Sequence, residues 1–226
     1  MTETHRLGDF EVHRIPTGRW KENCYVVHHA PSGDQLAIDP GADLEAIVPV
    51  VEAGGGTLRH ILLTHGHYDH VGAVAELSER YGVPCHLHRK DKRLLLHAPM
   101  YGMRWDKKKV RPIKQFVTYE EDASFELGGV VLEVVPCPGH TLGGVTYGFG
   151  AFAFTGDTLL HKRVGRTDLP GGDEGVLRAS VTELLAHFAP ETLLFVGHGK
   201  PWTVADARIW WKDAEAAPPK FDMPIG

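Results

Sequence analysis

Short apolar runs that stop at tight turns dominate the hydrophobic pattern of the chain, and amphipathic stretches of helical period lie between them. Phe10-Glu11-Val12-His13-Arg14-Ile15 alternates as a half-buried strand does. Asn23 to His29 predicts a second strand, and Gln35 to Ile38 a third that ends at Asp39-Pro40-Gly41. Asp43 is placed to cap a helix over Leu44 to Val51, which Gly54-Gly55-Gly56 stops. Ile61-Leu62-Leu63 reads as a buried strand. Behind it Val71, Val74, Leu77 and Tyr81 recur at helical spacing, so one helix is expected from Val71 to Tyr81. Pro84 to His88 predicts a short strand and Arg89 to Leu96 a helix. His97 to Lys114, with Pro99 and the run Lys107-Lys108-Lys109, reads as a long loop, either a cover over a substrate or a solvated basic connector.

From Phe116 the β pattern restarts. Ser124 to Leu127 and Val130 to Val135 flank Gly128-Gly129 as a hairpin, and Val145 to Phe149 pairs with Ala151 to Thr155. Asp173 caps a helix whose apolar face is Leu177, Val181, Leu184, Leu185 and Phe188. Thr192 to Val196 is the last long strand, and Thr203 caps a final helix through Ala207 and Trp211. The tail from about 214 to 226 is expected to be extended and to pack on a partner subunit, which makes the chain a candidate homodimer. No Gly-, Ser- or Pro-rich linker divides the sequence. Two halves, each β then α, meet around residue 120, so a single α/β domain spanning residues 1–226 is expected.

Composition narrows the function classes. With 226 residues, 42% of them apolar, and a net charge of −5, the chain can bury a core, and its mild acidity argues against nucleic acid as a partner. Met1 to Asp9 lacks the apolar run of a secretory signal, and no segment approaches the ~18 continuous apolar residues of a membrane helix. A cytoplasmic protein with no membrane partner is the expectation. Cys24, Cys85 and Cys137 are scattered without CxxC spacing, as buried, reduced thiols would be.

The chemistry sits where strands end. Ile61-Leu62-Leu63-Thr64 runs into His65-Gly66-His67-Tyr68-Asp69-His70, a cluster of metal-ligand types that an isolated surface histidine would not produce. The pattern recurs at Pro138-Gly139-His140, at Gly156-Asp157 and at Gly197-His198-Gly199. Each is an apolar strand, a turn, then a His or Asp at the exit, which is what ligand loops converging on one sheet edge require. His13, His28 and His29 lack partners at ligand spacing and read as surface or supporting residues. Asp39, at a strand exit, reads equally as a turn former or as a group that orients a metal-bound histidine. Seven candidate ligands are thus collected: His65, His67, Asp69, His70, His140, Asp157 and His198. One tetrahedral zinc takes four. Two divalent ions with one bridging aspartate fit better, holding a hydroxide between them. Zinc is the first expectation, and iron or manganese also suits a set without thiolates.

These motifs resemble, in order and spacing, those of the metallo-β-lactamase fold hydrolases, particularly the glyoxalase II-like (hydroxyacylglutathione hydrolase-like) branch. The resemblance spans nearly the whole chain and implies a four-layer αβ/βα sandwich with the site at one edge of two facing sheets. It implies that His65, His67 and His140 hold a first metal, that Asp69, His70 and His198 hold a second, and that Asp157 bridges. Asp69 and Asp157 would then be catalytic through the metal-bridging hydroxide. The implied activity is hydrolysis of a small-molecule thioester such as a hydroxyacylglutathione, with Lys162 and Arg166 contacting a substrate carboxylate. The competing reading of Arg166 is an ion pair with Asp168 that holds the loop. Gly165-Arg166-Thr167-Asp168 also resembles the persulfide dioxygenases of this fold, which would use one iron on His65, His140 and Asp157. A lactone hydrolase is a third reading. Typical glyoxalase II enzymes carry a longer carboxy-terminal helical portion with basic glutathione contacts, so the resemblance speaks to the chemistry more sharply than to glutathione itself.

Overall fold

The computed structural model describes residues 2–120 and 123–215, and in it the chain folds as an α/β sandwich of four layers. The first sheet has seven strands in the order β1 (Glu3–Leu7), β2 (Phe10–Thr17), β3 (Glu22–His29), β4 (Asp34–Ile38), β5 (Thr57–Leu62), β6 (Cys85–His88) and β7 (Phe116–Tyr119). Its first four strands are antiparallel and the pairs from β4 to β7 are parallel. Parallel neighbours need crossovers. These are supplied by α1 (Leu44–Ala53), by α2 (Tyr68–Val71) with α3 (Val74–Tyr81), and by α4 (Lys92–Trp105).

The second sheet is built from β8 (Phe125–Leu127), β9 (Val130–Pro136), β10 (Val145–Gly148), β11 (Phe152–Gly156), β14 (Leu193–Val196) and β15 (Trp202–Thr203). A small hairpin, β12 (Leu159–Leu160) with β13 (Arg163–Val164), leads toward α5 (Glu174–His187), and α6 (Val204–Ala214) closes the described chain.

Three buried clusters fill the gaps between the layers. Ile15, Val26 and Ile61 meet Ile47, Val51, Val74, Leu77 and Leu95 of the helices on one side. Val12, Tyr25, Leu36, Ile38 and Leu62 face Leu132, Tyr147, Phe152, Phe154 and Phe195 between the sheets. Ala153, Leu194 and Val196 pack on Leu177, Val181 and Leu184 of α5 and on Val204 and Trp211 of α6. β11 is therefore buried on both faces along its length and β5 at its Ile61–Leu62 end, which is why these stretches read as apolar runs. Cys24, Cys85 and Cys137 are buried and free.

Three local expectations change, and one strand is added. The segment expected to be a loop from His97 continues α4 to Trp105, through Pro99, because Leu95, Ala98 and Gly102 keep one face buried. At Gly102 the returning chain comes so close that a Cβ would lie 2.6 Å from Val110 Cγ2. Only residues 106–115 remain irregular. The helix expected over Val71–Tyr81 is broken at Gly72, where the backbone packs against the Gly41 carbonyl and the Ala73 amide bonds to the Pro40 carbonyl at 2.9 Å. Asp43 does not cap α1; its Oδ2 accepts from the Gly18 amide at 2.8 Å instead. Strand β1 carries little apolar pattern because its side chains are mostly exposed, and backbone pairing to β2 makes it. Asp173 and Thr203 do cap α5 and α6, accepting from the amides of Val176 and Asp206. Residues 216–226, for which an extended tail was expected, lie outside the described residues.

Candidate metal centre

Strands β4, β5, β9, β11 and β14 deliver their carboxyl ends to one edge of the sandwich, and the loops that leave them carry Asp39, His65 to His70, His140, Asp157 and His198. The edge is tied together across the sheets. The Val145 amide donates to the Thr64 carbonyl at 2.9 Å, the Tyr147 hydroxyl donates to the Leu63 carbonyl at 2.9 Å, and the Asn23 amide donates to the Gly197 carbonyl at 2.7 Å. Asp91, just before α4, binds both histidine loops. Its buried carboxylate accepts from the Gly66 amide at 3.0 Å, the Gly143 amide at 2.7 Å and the Thr141 hydroxyl at 2.7 Å. Burial pushes the Asp91 carboxyl up, and these three donors oppose that.

All seven sequence-predicted ligands converge. His65, His67 and His140 form one group and Asp69, His70 and His198 another, with donor atoms in each within 4.8 Å of one another. Asp157 stands between them. Its Oδ2 is 3.8 Å from His140 Nε2 and 3.6 Å from His198 Nε2, and its Oδ1 is 3.5 Å from His70 Nε2. The Nε2 atoms of His65, His70 and His198 and Oδ1 of Asp157 are buried without a hydrogen-bond partner. Buried polar groups in native proteins are almost always paired, so this concentration of orphaned acceptors fits a cation. His67 Nδ1 and His140 Nε2 lie 2.9 Å apart, two ring nitrogens turned toward one point.

The other ring nitrogens explain the orientation. His65 Nδ1 is 3.0 Å from the Thr64 hydroxyl, which itself donates to Asp39 Oδ2 at 2.6 Å, and His70 Nδ1 lies 3.1 Å from the same Oδ2. His140 Nδ1 is 2.7 Å from the Arg166 carbonyl and His198 Nδ1 is 3.1 Å from the Trp20 carbonyl. Acceptors on the Nδ1 side assign the Nδ1–H tautomer to these imidazoles and leave Nε2 as the electron-pair donor. Asp39, His65 and His70 also lie close enough to be a ligand group. Asp39 is already committed to Thr64 and His70, however, so it orients the candidate ligands His65 and His70 from behind.

Electrostatics agree with a cation at the centre. Burial, then the neighbouring His70, His140 and His67 rings, holds His65 well below the ordinary imidazole range, and burial pushes His67 down to about 3. Burial would lower His70 as well, but Asp157, Asp69 and Asp39 outweigh it and raise this imidazole. His198 is raised in the same way by Asp157 and Asp69. The carboxylates therefore attract positive charge, and neutral imidazoles stand ready beside them.

The substrate contacts expected of Lys162 and Arg166 divide. Lys162 is exposed at the turn between β12 and β13 with φ 56°. The Arg166 guanidinium pairs with both carboxylate oxygens of Asp168 at 2.7 Å, while its carbonyl holds His140. Sequence reasoning passed over Asp91 and Trp20. The signal for Asp91 was present, since it is one of only two acids in the basic stretch from Arg89 to Lys114. Trp20 contributes its carbonyl, which no side-chain pattern reports. A cleft beside Asp69 is lined by Trp20, Glu22, Tyr68, Asp106, Lys108 and Val110.

Residues 17–198 match the metallo-beta-lactamase superfamily, and the chain belongs to that superfamily as a metal-dependent hydrolase. Hydroxyacylglutathione hydrolase GloC of Haemophilus influenzae is 32% identical over 202 residues, which cover 86% of this chain and 93% of that one. The crystal structure of BLEG-1 B3 metallo-beta-lactamase matches with a TM-score of 0.78 at 31% identity, covering 88% of this chain and 96% of that chain. The di-iron-bound form of TTHA1623 matches at 0.77 with 35% identity, covering 86% and 96%. No helix among the described residues is long and apolar enough to cross a membrane.

Proposed function

We propose that this hydrolase cleaves acyl thioesters of the hydroxyacylglutathione kind at a site holding two divalent ions, zinc or iron. The observation that carries the reading is the pair of three-residue groups with Asp157 facing an imidazole of each. His65, His67 and His140 would hold one ion, Asp69, His70 and His198 the other, and Asp157 both. Bound there, the ions supply a nucleophile drawn from water at neutral pH and electron withdrawal from the substrate carbonyl.

The chain's own residues prepare the site. Asp39, Thr64 and the carbonyls of Arg166 and Trp20 hold Nε2 of their histidines inward, so little reorganisation accompanies reaction. Asp69 and Asp157 would supply the negative charge that two neighbouring cations need. A thiol of pKa ~8.5 departs as thiolate without a proton donor, which suits a site whose converging histidines and aspartates would all be engaged as ligands or their supports. Lys162, and Arg166 when a substrate carboxylate competes with Asp168, would bind the acidic end of the substrate. The Haemophilus influenzae relative is named a hydroxyacylglutathione hydrolase, and that supports the substrate class.

The test is thiol release from lactoylglutathione and a series of other acyl thioesters by protein purified without chelator, with a β-lactam, a lactone and a glutathione persulfide assayed alongside. Turnover of a thioester that disappears in His70→Ala supports the reading. Turnover of the β-lactam or lactone alone, or oxygen uptake with the persulfide, overturns it.

A further inference from the structure

Charge is segregated in this chain. Ten of its 24 Lys and Arg fall between Arg89 and Lys114 against two acids, so this stretch carries +8 while the rest of the chain carries −13. The two acids are spent internally. Asp91 binds the histidine loops, and Asp106 accepts from the Trp20 indole at 3.0 Å. Arg93, Lys107, Lys108 and Lys109 make no ion pair with an acid among the described residues. Arg104 lies against the Trp105 ring and Lys92 over the Phe116 ring, both still exposed.

An apolar stripe runs through this basic surface. Leu96, Met100 and Met103 of α4 are 52%, 54% and 49% exposed. Their spacing of four and three residues lines them up on one face, opposite the buried Leu95, Ala98 and Gly102. Lys92 borders the stripe on one side, and Arg93 and Arg104 border it on the other. The helix is also adjacent to the metal centre at both ends. Its start is fixed by Asp91 to the loops of His67 and His140, and the chain after its end contributes Asp106, Lys108 and Val110 to the cleft beside Asp69.

We propose that the exposed face of α4 docks an acidic carrier protein and that the acyl thioester borne on that protein's flexible thiol arm enters the cleft beside Asp69. The inference rests on the thioesterase reading and adds the partner. A helix of 14 residues is about 21 Å long, more than a small thiol can cover, and cations around Leu and Met select an acidic partner surface with an apolar ridge. In the step itself water adds to the carbonyl carbon and the C–S bond breaks. The products are a carboxylate, the carrier's free thiol and one proton.

The probes are a butyryl group on an acidic acyl carrier protein and the same group on glutathione, with the triple variant R93E/M100E/R104E, whose positions are exposed. The carrier-borne ester is expected to show a kcat/KM about tenfold or more above the glutathione ester. The variant loses that advantage through KM and leaves the glutathione ester unchanged. Equal losses on both esters, or no advantage for the carrier, overturn the proposal. Calorimetric titration of the carrier protein separates the two readings: binding that the variant abolishes upholds the surface even if no thioester is cleaved, and absence of binding overturns it. Co-sedimentation with anionic vesicles, lost in the variant while the carrier fails to bind, overturns it in favour of a membrane surface.

Discussion

Asp39 Oδ2 lies 3.1 Å from Nδ1 of His70, and that single carboxylate, through Thr64, also fixes His65. One residue outside the ligand set thus sets the tautomer of a histidine in each three-residue group. Asp39 occupies the left-handed region at φ 47°, where asparagine is readily accommodated. Asp39→Asn therefore keeps the backbone but turns an amide N–H or a weaker acceptor toward donors. Metal affinity is expected to fall about 10- to 100-fold with the fold intact, as read by competition with a chromophoric chelator and by circular dichroism. Unchanged affinity would remove Asp39 from the metal centre.

Gly165 leaves room for two of the candidate ligands, Asp157 and His140. A Cβ there would strike the Asp157 carbonyl and come within 2.8 Å of His140 Nδ1. Gly165→Ala must displace one of them, so bound metal should fall by about one equivalent per chain at limiting metal. Gly175→Ala, whose methyl meets nothing nearer than Asp173 Oδ1 at 3.5 Å, should keep full metal content and serves as the control.

The pH dependence of stability has a component outside the candidate metal centre. Burial, then the neighbouring His60, pushes His86 down to about 4 from an ordinary 6.5. Between those values the unfolded chain binds the proton and the folded chain does not, so stability rises with pH. The contribution is complete above about 6.5 and is lost as pH falls toward about 4. His86→Phe keeps the ring that meets Phe125 at a centroid distance of 5.1 Å and removes the proton site. Urea midpoints of both proteins at pH 7 and pH 5, measured in chelator, should show a smaller drop for His86→Phe. Equal drops would contradict the assignment.

The sequence was most legible where chemistry and strand ends coincide. His65, His67, Asp69, His70, His140, Asp157 and His198 could be collected because each follows the apolar end of a strand, and in β11 and β14 the run marks a strand buried on both faces. What it could not carry was information held by the backbone or by distant packing. Trp20 acts through its carbonyl, and Asp91 joins the Gly66 loop, 25 residues before it, to the Gly143 loop, 52 residues after it. Pro99 suggested a loop where burial of Leu95, Ala98 and Gly102 sustains a helix. Asp43 had the right residue type for a cap, but the Gly18 amide of a neighbouring turn takes its carboxylate.

The central claim is that two groups of ligands flank Asp157, and elemental mass spectrometry of protein purified without chelator tests it most directly. About two equivalents of zinc or iron per chain, falling to about one in His70→Ala, are the predicted result. About one equivalent in the unaltered protein, unchanged by His70→Ala, would contradict it.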